Sequence, residues 1–279
     1  MKKLLMFVAF AVVLCSCGSG GSNQENNKKK FDEEIVKEDR KEYKEYIRMA
    51  RQYKDQGNVD AAIKLYEYAL EIESTYSDTE YSEWFNSDVA GTLESIFTGT
   101  HKNHEWVDMG LPSGLKWATC NVGASSPEEY GDYFAWGETK TNKEYYYSKC
   151  ASWGQSWGDI RGDYSRDAAR SNWGGGWRLP TKTEFEELLR ECTWEWTTQN
   201  GNNGYKVTSK KNGQSIFLPA AGYRNGADED LVGSGGYYWS STPYESETYY
   251  ACRLYFDEDS RGVSRNYRHG GRSVRPVLE

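Results

Sequence analysis

Trp177-Arg178-Leu179-Pro180-Thr181-Lys182-Thr183-Glu184 is the stretch that decides the class of fold. Thr181 and Glu184 stand at capping-box spacing, and Phe185, Leu188 and Leu189 follow on one face, so a helix starts here. It is the one convincing long helix after residue 100. Around it aromatic and polar residues alternate between glycine turns, which predicts strands at 204–209, 215–219, 237–241, 249–257 and 272–277. Two shorter strands are expected around the Pro112/Gly114 turn, and another across 130–138. One helix among many strands predicts an α+β domain with an antiparallel sheet.

Upstream the chemistry changes, since ten of the eleven tryptophans and 22 of the 28 glycines lie after residue 100. The boundary is expected between Phe97 and Glu105, giving a helical domain over 31–100 and an aromatic domain over 103–279. In the helical part Tyr46, Met49, Ala50 and Tyr53 share one helix face. Gly57-Asn58 interrupts, and Ala62, Leu65, Tyr66, Ala69 and Leu70 resume the spacing. Tyr46, Met49, Ala50, Tyr53, Gly57, Ala62, Tyr66 and Ala69 resemble one tetratricopeptide repeat, with Ser74 where the usual proline would end the second helix. A third helix near 79–97 would cover the open apolar face with Trp84, Phe85, Val89, Leu93 and Ile96. A lone repeat cannot bury its own core, so a helical spacer and a peptide-binding groove both stand as readings.

The chain opens on Lys2 and Lys3, an apolar run over 4–14, and Leu14-Cys15-Ser16-Cys17. The run is too short to span a bilayer and is read as a signal peptide over 1–16. Its end resembles the bacterial lipobox, which assigns Cys17 as the lipidated residue and 17–30 as a flexible tether. The resulting expectation is an outer-membrane lipoprotein, periplasmic or surface-exposed, whose membrane partner is held through lipid. Formal net charge is −8 with no basic stripe, so nucleic acid is not an expected partner.

Five strings in the aromatic half carry a further resemblance: residues 111–118 (LPSGLKWA), 177–181 (WRLPT), 218–224 (LPAAGYR), 238–242 (YWSST) and 273–277 (SVRPV). Taken in order they resemble the Fibrobacter succinogenes major paralogous domain, a family abundant in Bacteroidetes lipoproteins, over about 105–279. That family is similar to C-type lectin-like folds and more distantly to formylglycine-generating enzymes. The resemblance implies a compact, loop-rich, mainly antiparallel β domain with its ends close together, and makes targeted diversification of the C-terminal region a property to look for. Fold similarity alone assigns no function.

No catalytic constellation, cofactor or metal site is expected. Among the three histidines, His101 and His104 fall in the expected linker and His269 in a loop signature. Cys120, Cys150, Cys192 and Cys252 are an even set for an exported chain, so disulfides are expected, with Cys252 on an inward strand face as the alternative of a buried thiol. Copper oxidation of the formylglycine-generating type would need a cysteine pair that no motif here displays. Asp228-Glu229-Asp230 and Asp257-Glu258-Asp259 could offer oxygen ligands to calcium but read more simply as solvated turns. What remains is non-catalytic binding of an extracellular glycan or protein. The candidate surface is Tyr244, Glu245, Glu247, Tyr249, Arg253, Arg265, Asn266, Tyr267, Arg268 and His269, rich in the Tyr and Arg of recognition surfaces. The rival reading is an envelope assembly component acting through the helical repeat.

Overall fold

The structure is a computed structural model that describes residues 21–85 and 87–279, so the expected signal peptide over 1–16 and the expected lipidation at Cys17 lie outside the described residues. The chain divides into two units, 1–94 and 95–279.

In the first unit, α1 (Gly21–Asp55) and α2 (Val59–Tyr76) pack antiparallel across Gly57, whose φ of 77° makes the turn, and Asn58, whose side chain accepts from Ala61 N. The antiparallel pairing is fixed by phenols. Tyr43 donates to Glu73 (2.8 Å), Tyr76 donates to Asp39 (2.7 Å), and Tyr46 packs on Tyr68. Ala50, Ala62 and Ala69 are fully buried, which lets the axes approach. The buried stripe of α1 is centred on Val36, Tyr43, Ile47 and Ala50, leaving the expected Tyr46, Met49 and Tyr53 half-buried on its flank. Among the described residues α1 already takes in 21–30, part of the segment expected as a flexible tether.

The expected third helix is two pieces. A 3-10 turn (Ser82–Phe85) precedes α3 (Val89–Phe97), and Asp88 between them takes a left-handed φ of 48° while its carboxylate caps Gly91 N. Phe85 still covers the hairpin, edge-on to Tyr43 and stacked on Tyr76 at 4.5 Å.

The second unit opens on a hairpin where a linker was expected. β1 (Thr98–His101) and β2 (His104–Asp108) are joined by Lys102 and Asn103, both left-handed, which is the two-residue turn whose twist suits antiparallel strands. His104 stacks on Trp173 at 3.7 Å, and the His101 carbonyl accepts from Trp177 Nε1, so both histidines are packing residues. β2 pairs with β3 (Lys116–Ala118), and β3 with the C-terminal β13 (Val277–Leu278), which pairs in turn with β4 (Trp177–Arg178). The beginning and end of the unit therefore flank one strand of one sheet.

Two meanders complete the β structure: β5 (Cys192–Gln199), β6 (Asn202–Ser209) and β7 (Ser215–Pro219), then β10 (Gly235–Pro243), β11 (Tyr250–Asp257) and β12 (Arg261–Tyr267), all antiparallel. Between them β8 (Tyr223–Asn225) and β9 (Asp228–Asp230) form a small hairpin. The α+β class is as expected. The strand expected over 130–138 is instead an irregular segment touching Arg272 through one bridge at Phe134, and of 272–277 only the last residue is in a strand. β5 and β12 were not expected.

The short α4 (Ala168–Trp173) and the longer α5 (Lys182–Glu191) are the helices of this unit. α5 starts as expected: Thr181 accepts from Glu184 N while Glu184 accepts from Thr181 N, and Phe185 and Leu188 are buried. Phe185 joins Trp117, Val207, Leu218, Leu254, Phe256 and Val277 in the main core. A second core is built on Phe134, Trp136, Ile160 and Trp239 beneath the irregular segments.

Glu184 also grips buried Arg178 through two bonds of 2.8 and 2.9 Å. Burial pushes its carboxyl up, but the Arg178 guanidinium and Thr181 N–H outweigh that and hold it below the ordinary value. A depressed carboxyl contributes stability above the unfolded-state value of about 4.3 and loses it as pH falls through the folded value. The melting temperature of the second unit should therefore drop steeply below about pH 4.5. Glu184→Gln should be destabilised at neutral pH and show a flatter acid limb in a melting series from pH 3 to 7; a parallel limb would show that other carboxylates dominate.

Candidate functional site

Three chain segments converge on Trp153. β11 opens just after Tyr249, β12 ends at Tyr267, and the turn around 147–153 lies against both. Trp153 has Tyr249 at 4.8 Å, Tyr267 at 5.6 Å, Tyr147 at 5.8 Å and His269 edge-on at 5.1 Å. Tyr267 also stacks on Tyr250 at 4.4 Å. Tyr147, Tyr249 and Tyr267 are 61%, 46% and 45% exposed, so the rings form a platform facing solvent and not a core. Exposed aromatic clusters of this kind mark binding surfaces.

The expected candidates thus separate into four groups. Tyr249, Tyr267 and His269 belong to the platform. Tyr244, Glu247 and Arg265 form a polar neighbour, in which Arg265 donates to Tyr244 Oη (2.9 Å) and lies 3.7 Å from Glu247; Glu245 stands exposed nearby. Arg253 turns to the opposite side of its strand from Leu254 and Phe256 and enters a cleft with Asn266 and Arg272.

Arg268 departs from the expected surface altogether, being 1% exposed. Its Nε donates to Tyr250 O (3.0 Å), its Nη1 to Ser152 O (3.1 Å) and Gln155 O (2.7 Å), and its plane lies 4.2 Å from Trp136. It pins the platform loop to β11 from beneath and cannot face a ligand. Trp153 and Tyr147 are the platform residues that sequence reasoning missed. They lie far from the C-terminal cluster in sequence, and only the aromatic density of 145–157 hinted at them.

In the structure Cys120, Cys150, Cys192 and Cys252, expected to form disulfides, are free thiols. Each serves a different neighbourhood. Cys150 sits 3.3 Å from Ser152 Oγ, Cys120 sits 3.5 Å from Thr119 Oγ1, and Cys252 points at Pro243 O from an inward strand position. Burial pushes the thiols of Cys150 and Cys252 up and that of Cys192 up to about 12, which keeps them protonated and poor as nucleophiles. Among the described residues His269 Nδ1 has no hydrogen-bond partner, and burial lowers its basicity. Asp257 accepts from Asp259 N and Ser260 N as a turn cap, and Glu229 faces Arg224 across the β8–β9 hairpin at 3.7 Å. Among the described residues no three His, Cys, Asp or Glu side chains converge as a metal-ligand set. No described helix is long and apolar enough to cross a membrane.

The model of a domain of unknown function (DUF8237) matches residues 193–277, which run from β5 to β13 and contain the whole C-terminal candidate cluster. No curated protein and no solved structure matches the chain.

Proposed function

We propose that the second unit is a non-catalytic recognition module that holds a saccharide on the Trp153/Tyr249/Tyr267 platform. The module belongs, in this reading, to an exported lipoprotein anchored through Cys17 at the outer membrane, with the helical unit as its spacer. The observation that carries the reading is the convergence of exposed aromatic rings beside a polar rim. A pyranose offers an apolar C–H face to such rings and hydroxyls to neighbours such as Asn266, Arg265 and Glu247. The protonated thiols and the packing roles of His101 and His104 support binding over catalysis.

The finer fold reading is a single tetratricopeptide-like repeat followed by a Fibrobacter succinogenes major paralogous domain of C-type lectin-like fold. The Gly57 turn between alanine-lined helices supports the first, and the flanking of β3 by β2 and β13 supports the second.

Tyr249→Ala combined with Tyr267→Ala in the full chain should weaken glycan binding at least about tenfold while moving the melting temperature by only about 3 °C, because exposed substitutions cost little. A glycan array and a thermal melt read the two quantities. Undiminished glycan binding in the double variant, or partner capture that depends only on residues 31–100, would remove the proposal.

A further inference from the structure

Beside the platform lies a cleft of about 260 Å³ into which two arginines project without any carboxylate to receive them. Arg272 is 4% exposed and Arg253 partly buried. Neither has an ion-pair or hydrogen-bond acceptor for Arg253 Nε, Arg253 Nη1 or Arg272 Nε among the described residues. What faces them is aromatic. Arg253 lies 4.6 Å from the Tyr237 ring and 5.2 Å from Tyr255; Arg272 lies 4.8 Å from Tyr223 and 5.2 Å from Trp239.

Ring faces stabilise a guanidinium through its flat side. They accept nothing from its N–H groups, which point outward in the guanidinium plane. The rings therefore hold the two guanidiniums in place, Arg272 Nη1 donates to Gly271 O (3.3 Å), and Arg253 Nε, Arg253 Nη1 and Arg272 Nε are left for something else. His269 Nδ1, also without a partner, borders the same cleft, as does Arg224, whose charge is met by Glu229 at 3.7 Å. Burial and repulsion from Arg253 bring Arg272 down to about 9, and burial brings Arg253 down to about 10, so both stay cationic at neutral pH.

Two like charges buried side by side with orphaned donors destabilise the folded chain, and a cost of that kind is found where a ligand supplies the missing partner. A neutral sugar would leave both charges unmet. An anion large enough to be a macromolecular surface would not enter the cleft.

We propose that the cleft between Arg253 and Arg272 receives the oxyanion of an acidic sugar, a uronate carboxylate, while the adjoining Tyr267 holds the same residue's ring or its neighbour. The identity of the molecule rests on the saccharide reading above; the existence of an oxyanion site does not.

Sodium glucuronate and glucose are to be titrated into the full chain by calorimetry, with inorganic sulfate as a competitor. Glucuronate should bind at least tenfold more tightly than glucose, sulfate should displace it, and Arg253→Met should abolish the difference. Arg253→Met keeps the stem over Tyr237 and removes one of two repelling charges, so without ligand it should melt at the same temperature as the parent or higher. An arginine kept only for structure would give a lower melting temperature. Arg253→Lys, which retains the charge and lacks the Nε donor, should lose most of the preference and serves if the methionine variant does not fold. Equal binding of glucose and glucuronate, a preference that survives both variants, or a lowered melting temperature for Arg253→Met overturns the proposal. Neutral-glycan binding without a uronate preference would defeat the oxyanion site and leave the platform standing. Glucuronate binding without any neutral-glycan binding would do the reverse.

Discussion

Arg268→Ala should destabilise the second unit by about 3 kcal/mol, far more than any change on the platform above it. The guanidinium satisfies three carbonyls, those of Tyr250, Ser152 and Gln155, and fills the space against Trp136. Alanine removes all three charge-assisted bonds and opens a cavity against Trp136, while each carbonyl keeps one backbone donor, from Tyr244 N, Gln155 N and Trp157 N. In a unit of this size the loss should lower the melting temperature by on the order of 10 °C. Arg268→Lys should recover little, since one ammonium cannot reach carbonyls spread around a planar fork. Glycan binding should weaken as well, but only because the Ser152–Gln155 loop that carries Trp153 loosens. A variant that binds normally and melts normally would show that Arg268 is peripheral. The contrast with Tyr249 and Tyr267 separates support from contact within one short stretch of sequence.

That stretch also shows where sequence reading ends. Arg265, Arg268, Arg272 and Arg275 look alike in a polar, glycine-rich segment, yet Arg265 is exposed and the other three are almost fully buried. Arg275 is held by Asn121 Oδ1 and by the carbonyls of Ala118 and Thr119. Periodicity reports polarity, and a buried arginine whose partners are backbone carbonyls and ring faces leaves no trace in it. The start of α5 was legible because Thr181 and Glu184 satisfy each other locally, and β7 because Ser215 to Pro219 is a compact apolar run. β5 alternates clearly but follows α5 with no turn residue between Glu191 and Cys192, so nothing marked its beginning. β12 carries one valine in seven residues and is a strand because β11 pairs with it. The platform was half legible: Tyr249 and Tyr267 by composition, Trp153 only by tertiary contact.

Asp167→Ala should cost about 4 kcal/mol, the largest single effect expected in the chain. Asp167 has no exposed surface, and it ties together pieces that have no sheet or helix between them. Its Oδ2 accepts from Gly162 N (2.8 Å) and Leu179 N (2.9 Å), and its Oδ1 caps α4 through Arg170 N (3.1 Å). Burial pushes the carboxyl up despite these three donors, so the charge is kept at a cost and the site depends on it as an acceptor. Alanine takes the acceptor from all three N–H groups and strands that of Leu179 in the interior. Asparagine can present its oxygen to Gly162 and Leu179 but turns an amide toward Arg170 N, losing the cap alone, worth about 1 kcal/mol. The expected order of stability at neutral pH is therefore parent, then Asp167→Asn, then Asp167→Ala, with the wider gap between the two variants. Chemical denaturation with tryptophan fluorescence measures it, because Trp157 and Trp173 pack on the second core. The shift has the opposite sign to that of Glu184. A raised carboxyl contributes stability that is fully present below the unfolded value of about 3.9 and is lost as pH rises through the folded value. Asp167→Asn should therefore compare worst with the parent in acid and best at neutral pH. If asparagine is as damaging as alanine at pH 7, the charge itself and not the count of acceptors holds the irregular segments in place.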